Sequence, residues 1–310
     1  MYLITGGAGF IGANLAEALV RDGEQVRILD NFSTGSLANL AGFRERIEIV
    51  EGDLRDYDAV KRAMHGVTHV AHQAALRSVE RSVDDPLSSD EVNVHGTLHV
   101  LMAARETGGV RVVYASSSSV YGESPELPKV EDQTPAPVSP YAVSKLAAEH
   151  YCRVFSKLYG VETVSLRYFN VFGPKQSPQS KYAAVIPLFM RAGMQGEPLE
   201  IHGDGEQSRD FTYIDNVVQA NRLALTTPGV GGEVFNVACN ERHSLLDIVA
   251  VLERLLGRTL TRNHVASRRG DVRHTQASIE RIRQKLDFRP SVGFEDGLRR
   301  TWDWFRTAAA

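Results

Sequence analysis

Cysteine is nearly absent. Cys152 and Cys239 are the only two in 310 residues, too few for a disulfide framework and too few for a structural zinc site. Two buried thiols in a reducing compartment are the expectation, and with them a cytoplasmic location and no metal. Net charge is scarce as well: 35 Lys and Arg against 38 Asp and Glu leave a formal −3. That balance offers no general attraction to nucleic acid or an anionic membrane, so neither is expected as a partner and any anion site must be local. Long apolar runs are also missing. Met1, Tyr2, Leu3 and Ile4 lead straight into glycines, without a basic leader or a stretch long enough to span a bilayer. The remaining composition, 43% hydrophobic and 24% charged, is that of an ordinary globular chain with material for a large core.

What is present is a regular alternation. Residues 2–5 form a short apolar run of the kind a buried parallel strand shows, followed by Gly6, Gly9 and Gly12 and then the helical spacing of Leu15, Leu19 and Val20. Glycines three apart allow a tight turn and let a pyrophosphate approach the N–H groups at a helix N-terminus, where the dipole favours negative charge. The next strand, 25–29, ends at Asp30, 18 residues past Gly12. An acidic side chain there bonds a ribose 2′-OH and repels a 2′-phosphate, so NAD rather than NADP is the expected cofactor.

Further strands are predicted at 47–50, 67–71, 111–115 and 161–167, and helices at 91–106 and 141–159. Four serines, 116–119, follow the strand at 111–115, and ligands of open parallel sheets bind beyond such strand ends. After residue 170 the alternation breaks. Helices at 187–196 and 244–256 and the segment 261–286 suggest a smaller lobe. The expected fold class is α/β: a doubly wound parallel sheet over 1–170, with returns near 210–225 and 235–238, and a discontinuous, smaller α/β substrate-binding lobe drawn mainly from 171–310.

On the helix at 141–159, Tyr141 and Lys145 stand four apart and so share one face. A phenol titrates near pH ~10, but an adjacent cation favours its ionised form. The pair is therefore a candidate for taking a proton from a substrate hydroxyl.

With the glycine turn, Asp30, the serine strand end and Tyr141/Lys145 in this order, the chain resembles the extended short-chain dehydrogenase/reductases, in particular the NAD-dependent nucleotide-sugar epimerases and dehydratases. Further matching stretches are 53–56, 72–75, 93–97, 167–174 and 209–211. The resemblance covers nearly the whole chain and implies a Rossmann-like fold. It places Phe10 and Ile11 over the NAD pyrophosphate. Asp30, Asn31, Ser33, Thr34 and Gly35 would hold the adenosine ribose, and Asp53 and Leu54 would meet the adenine. Gln73, Ala74, Ala75, Arg77, Asn93 and Phe169 would line the rest of the groove, with Lys145 also on the nicotinamide ribose. Ser117 matches the family's catalytic serine, four residues before Tyr121. On the substrate side the resemblance implies Ser78, Ser118, Ser119, Val185, His202, Asp271 and Thr275, with Asn170, Arg209 and Arg268 gripping a nucleotide diphosphate.

The reaction follows from what stands after Ser117. Related 4,6-dehydratases carry Asp-Glu there, because elimination needs an acid and a base, and related decarboxylases carry Glu at the second position. Ser118 and Ser119 argue against both. Reversible 4-epimerisation of a UDP-sugar through a 4-keto intermediate remains. Tyr141 would take the 4-OH proton directly or through Ser117. Glucuronate 4-epimerases tend to carry Thr at the position of Asn170 and an Arg in the loop after it, where only Lys175 is basic before Lys181. Thr275 is small at a position implied to sit beside the sugar. UDP-GlcNAc/UDP-GalNAc, with UDP-Glc/UDP-Gal, is therefore expected ahead of UDP-glucuronate. A non-catalytic NAD-binding regulatory protein on the same fold is disfavoured by intact Ser117, Tyr141 and Lys145. The resemblance also implies a homodimer. Ala147, Ala148, Tyr151 and Phe155 form an apolar second face on the Tyr141 helix that suits either such pairing or the intramolecular core.

Overall fold

Short β-branched runs and amphipathic helices follow one another through the first half of the chain. The computed structural model describes residues 1–179, 184–266 and 272–308. In order come β1 (Tyr2–Thr5), α1 (Phe10–Arg21), β2 (Val26–Asp30), β3 (Ile47–Glu51), α2 (Tyr57–Met64), β4 (His69–His72) and the short helices α3 (Val79–Asp84) and α4 (Pro86–Asp90). Then follow α5 (Gly96–Thr107), β5 (Arg111–Ser117), α6 (Pro140–Tyr159), β6 (Glu162–Tyr168) and β7 (Val171–Phe172). Next are α7 (Val185–Gln195), β8 (Leu199–His202), β9 (Ser208–Arg209), β10 (Thr212–Tyr213), α8 (Ile214–Thr226) and β11 (Glu233–Val237). The chain finishes with β12 (His243–Ser244), α9 (Leu245–Leu256), β13 (Arg262–Val265), α10 (Glu280–Leu286) and α11 (Phe294–Ala308).

The central sheet runs β11-β6-β5-β4-β1-β2-β3, and all its neighbours are parallel. Strand order reverses between β1 and β4, which opens a crevice at the carboxyl ends of those two strands. Both faces are buried, and alternation assigns the side chains to layers. Leu3, Leu29, Val70, Val112 and Tyr114 pack against α2, α5 and α6; Ile4, Ile28, Ala71 and Val113 pack on the side of α1 and α8. Outside this sheet lie three short strand pairs, β10/β7, β12/β9 and β13/β8, and an aromatic cluster of Phe172, Phe211, Tyr213 and Phe294.

The structure differs from expectation in places. The run 91–106 is not one α-helix: a π-helical turn at Glu91–His95 precedes α5, and the same apolar spacing serves both. Strand β4 starts at His69 rather than at 67, because the Val67 N–H is spent on the Met64 carbonyl in the turn closing α2. Helices α2, α3, α4 and α11 were not anticipated. In α11 the apolar spacing is Leu298, Trp302 and Phe305, all buried. Cys152 is buried, while Cys239 is only partly so; both are free thiols. Among the described residues no helix is long and apolar enough to cross a membrane.

Candidate active site

Past Thr5 the chain turns at Gly6 with φ +68°, a conformation that suits glycine. A Cβ there would stand 2.7 Å from the Ala74 backbone, so the turns after β1 and β4 approach only because residue 6 has no side chain. Gly12 is required by packing too, since its Cβ would fall 2.2 Å from the Gly6 carbonyl oxygen. Gly9 differs: its Cβ would meet only that oxygen, at 3.2 Å, and the residue lines the crevice. Its missing side chain leaves backbone open to a ligand. Helix α1 begins at Phe10 with no side chain capping its first N–H groups, so their partial positive charge is available there to an anion.

Phe10, Ile11, Asp30, Asn31, Ser33 and Thr34 line this crevice on the β1/β2 side. Asp53, Leu54, Gln73, Ala74, Ala75 and Arg77 line it beyond, together with Arg55 and Arg81, which sequence reasoning did not single out. Both Asp30 oxygens are engaged, by the N–H of Ala8 at 2.9 Å and of Phe32 at 2.8 Å. The carboxylate thereby ties the glycine turn to the end of β2. Gly35 stands behind it, where a Cβ would come within 2.9 Å of Ala8. The Arg55 fork on Asp53 holds that carboxyl well below the usual carboxylate range. An uncapped helix start, bare backbone at Gly9 and a carboxylate at the end of β2 suit a dinucleotide.

Two expected groove residues have buried partners instead. Asn93 is 1% exposed, with its amide bonded to the Leu76 backbone and to the Ser144 hydroxyl. The Phe169 ring packs beside Tyr121 in the core. Beneath the crevice a chain of hydrogen bonds runs Thr5–His72–Thr97–Asn93. Burial, and then the Lys145 charge, push His72 down to about 3, so it stays neutral at physiological pH.

At the end of β5, strand alternation separates the serines. Ser116 points into the core and donates to Glu149 at 2.7 Å, which also meets Arg167 at 2.6 Å in a buried ion pair. Ser117 faces the other way. Its hydroxyl accepts from the Ser119 hydroxyl at 2.9 Å and from the Ser119 N–H at 3.2 Å, and its influence lowers the pKa of the Tyr141 phenol against the effect of burial. Ser118 opens the short 3-10 turn Ser118–Tyr121.

The Tyr141/Lys145 pair departs from the sequence expectation. The Lys145 ammonium goes to the Ala115 carbonyl, 5.0 Å from the centre of the Tyr114 ring, and burial lowers its pKa to about 7. The Tyr141 phenol is raised by burial, and what draws it back is the Ser117 hydrogen bond and the charge of Arg77. Helical spacing aligns the two residues on one face, but a lysine chain is long enough for its head to go elsewhere. The arrangement can pass a proton between the phenol and a group held at Ser117.

A second cavity, of about 570 Å³, lies among β7, α7, β8 and β9. Asn170, Val185, His202 and Arg209 line it, as does Arg191, which was not anticipated. Asn170 adopts φ +35°, and its amide donates to the Asp210 carbonyl at 3.1 Å and the Thr275 hydroxyl at 3.4 Å. Arg209 donates to the carbonyls of Ser208 and Arg273. His202 lies 3.1 Å from the Ala266 carbonyl and 3.3 Å from Glu200. Ser78 turns at φ +113° and caps the N–H of Arg81. Arg268 and Asp271 lie outside the described residues. Lys175 pairs with Glu17 of α1 at 2.5 Å and covers the Phe43 ring.

The profile of the NAD-dependent epimerase/dehydratase family matches residues 2–238. A UDP-glucose 4-epimerase of Mycolicibacterium smegmatis is 36% identical over 98% of both chains. Among solved structures, a UDP-N-acetylglucosamine 4-epimerase from Methanobrevibacter ruminantium, in complex with UDP-N-acetylmuramic acid, is 38% identical with a TM-score of 0.94, covering 99% of this chain and 98% of that one. A UDP-glucuronic acid 4-epimerase from Bacillus cereus, in complex with UDP-glucuronic acid and NAD, is 33% identical with a TM-score of 0.91, covering 99% of each.

Proposed function

The chain belongs to the NAD-dependent epimerase/dehydratase family, as an NAD-dependent UDP-sugar 4-epimerase of the extended short-chain dehydrogenase/reductase type, and we propose that it interconverts UDP-GlcNAc and UDP-GalNAc, and also UDP-Glc and UDP-Gal. The observation that carries the reaction type is the end of β5. Ser117, Ser118 and Ser119 bring hydroxyls and no carboxyl, and the nearby Glu149 is committed to Arg167 and Ser116 in the core. Elimination and decarboxylation lack their acid–base group, whereas epimerisation needs one reversible proton site.

In this reading Tyr141 takes the proton of the sugar 4-OH through Ser117 and later returns it. The chemistry supplied by bound NAD is reversible two-electron oxidation at a hydroxyl-bearing carbon. Gly9 and the first turn of α1 receive the cofactor's pyrophosphate and Asp30 its ribose. Asn170 and Arg209, with Arg268, hold the substrate diphosphate while the oxidised sugar turns to present its other face.

The choice of sugar rests on Thr275 and Lys175. The Thr275 hydroxyl is drawn to Asn170 and to the Asp210 N–H, and its small side chain leaves room beside the sugar. Lys175 is engaged by Glu17, which disfavours it as the partner of a glucuronate carboxylate. Incubating the purified protein with UDP-GlcNAc, UDP-Glc and UDP-glucuronate separately, and separating the products, tests this. UDP-GalNAc is expected to form fastest; conversion of UDP-glucuronate alone would overturn the assignment.

The reading includes a homodimer. Ala148 and Phe155 of α6 are taken up by the intramolecular core, but Val143, Tyr151, Val154 and Leu158 remain exposed along one face of the helix. Light scattering is expected to report twice the chain mass, reverting to one chain mass in Val154→Glu.

A further inference from the structure

The first turn of α6 leaves one backbone donor without a local partner. Pro140 has no N–H, the Ala142 N–H goes to the Ser139 side chain at 3.2 Å, and the Val143 N–H goes to the Ser139 carbonyl at 3.0 Å. The remaining donor is the N–H of Tyr141. It is taken at 3.0 Å by the hydroxyl of Ser82, a fully buried residue of α3. Ser82 donates in turn to the Val79 carbonyl at 2.7 Å, which leaves its oxygen free to accept.

The carbonyl of Tyr141 is held as well. The Ser144 hydroxyl donates to it at 2.8 Å and accepts from the Asn93 amide at 3.0 Å. Asn93 also closes two hydrogen bonds on the Leu76 backbone, at 2.8 and 3.2 Å. Both arms of this clamp therefore end on one stretch, 76–82, whose Leu76, Arg77 and Arg81 form part of the cofactor crevice wall. Capping alone does not call for it. Ser139 already serves the helix start, whereas Ser82 comes from 59 residues earlier in the chain.

We propose that Ser82 and Ser144 are positioning residues for Tyr141: they fasten its peptide groups to the wall of the cofactor crevice, so that the phenol, Ser117 and the cofactor keep one mutual geometry. The inference rests on Tyr141 being the proton-transfer group of the proposed epimerase. A reacting group displaced by about 1 Å loses roughly a hundredfold in rate, and the length of the tyrosine side chain amplifies a small rotation of a loosened peptide at its hydroxyl.

Ser82→Ala and Ser144→Ala, each in the NAD-loaded full chain, test the clamp. Each variant leaves a buried donor unpaired and is expected to melt a few degrees lower, to keep the KM for UDP-sugar, and to lose roughly ten- to a hundredfold in kcat. The pH at which kcat reaches half its plateau shifts with them. The double variant is expected to be less damaging than the product of the singles, because either change loosens the same residue. Independently of turnover, amide hydrogen exchange at 141–145 speeds up by about tenfold while that at 150–159 is unchanged. Unchanged kcat, pH profile and exchange in both variants overturn the proposal, as does a loss of thermal stability with the pH profile intact. A wild-type protein that turns over no UDP-sugar refutes the proposed activity; local acceleration of exchange would still support the clamp.

Discussion

The ammonium of Lys145 donates a 2.8 Å hydrogen bond to the carbonyl of Ala115, with the lysine only 3% exposed. Burial brings its pKa from 10.5 to about 7. Because the folded value lies below the unfolded one, the unfolded chain binds the extra proton between these limits. The amine therefore costs stability in full below about pH 7, and the cost fades as pH rises towards 10.5. Lys145→Met is expected to lose at least about a hundredfold in turnover. It is also expected to melt higher than wild type at pH 6, by a margin that shrinks by pH 9. Equal margins at both pH values would show that the amine is not held near neutrality.

The phenol of Tyr141 is raised by burial and drawn back by Ser117 and Arg77. Arg77→Ala removes the favourable charge, so the phenol rises further and the half-plateau pH of kcat is expected to move up at saturating NAD. Tyr141→Phe is expected to fold and retain NAD, released and measured after denaturation, while turnover drops by about a thousandfold. Unimpaired turnover in that variant removes Tyr141 from the mechanism.

Gly9 and Gly12 belong to one turn yet are constrained differently. Gly9→Ala brings a Cβ 3.2 Å from a single carbonyl oxygen, whereas Gly12→Ala drives one to 2.2 Å. The first variant is expected to fold with nearly wild-type melting but to bind NAD about tenfold more weakly, as calorimetry would read. The second is expected to melt several degrees lower, through overpacking of about 1–3 kcal/mol. Equal NAD affinity in wild type and Gly9→Ala would show that the crevice does not place the cofactor against that backbone.

The Thr275 hydroxyl accepts from the Asn170 amide and from the Asp210 N–H. Thr275→Tyr is expected to suppress kcat/KM for UDP-GlcNAc at least about tenfold more than for UDP-Glc, since a bulky ring competes for the space of the N-acetyl group. Parallel losses on the two substrates would remove Thr275 as a gate.

Much of this protein was written locally. Gly6, Gly9 and Gly12 after a four-residue apolar strand, with Asp30 at the end of the next strand, pointed to an NAD-type dinucleotide turn through spacing and charge alone. The apolar runs of β1, β2, β5 and β6 locate themselves by composition. Less was legible where one pattern serves two backbones, as in the π-helical turn ahead of α5. Short helices such as α3 and α4 offer too few residues to show a period.

What the sequence by itself determined was therefore the sheet, the cofactor and the candidates for proton transfer, because those depend on spacing along a few residues. Tertiary structure alone decided which of those candidates act on one another. It turned Ser116 into the core, sent the Lys145 ammonium to the Ala115 carbonyl, and occupied Lys175 with Glu17. It also brought Ser82 to Tyr141 across 59 residues and Asn170 to Thr275 across 105. The physical reason is that long side chains and lone backbone donors take whichever partner the packed fold brings near, and spacing along the chain does not encode that proximity.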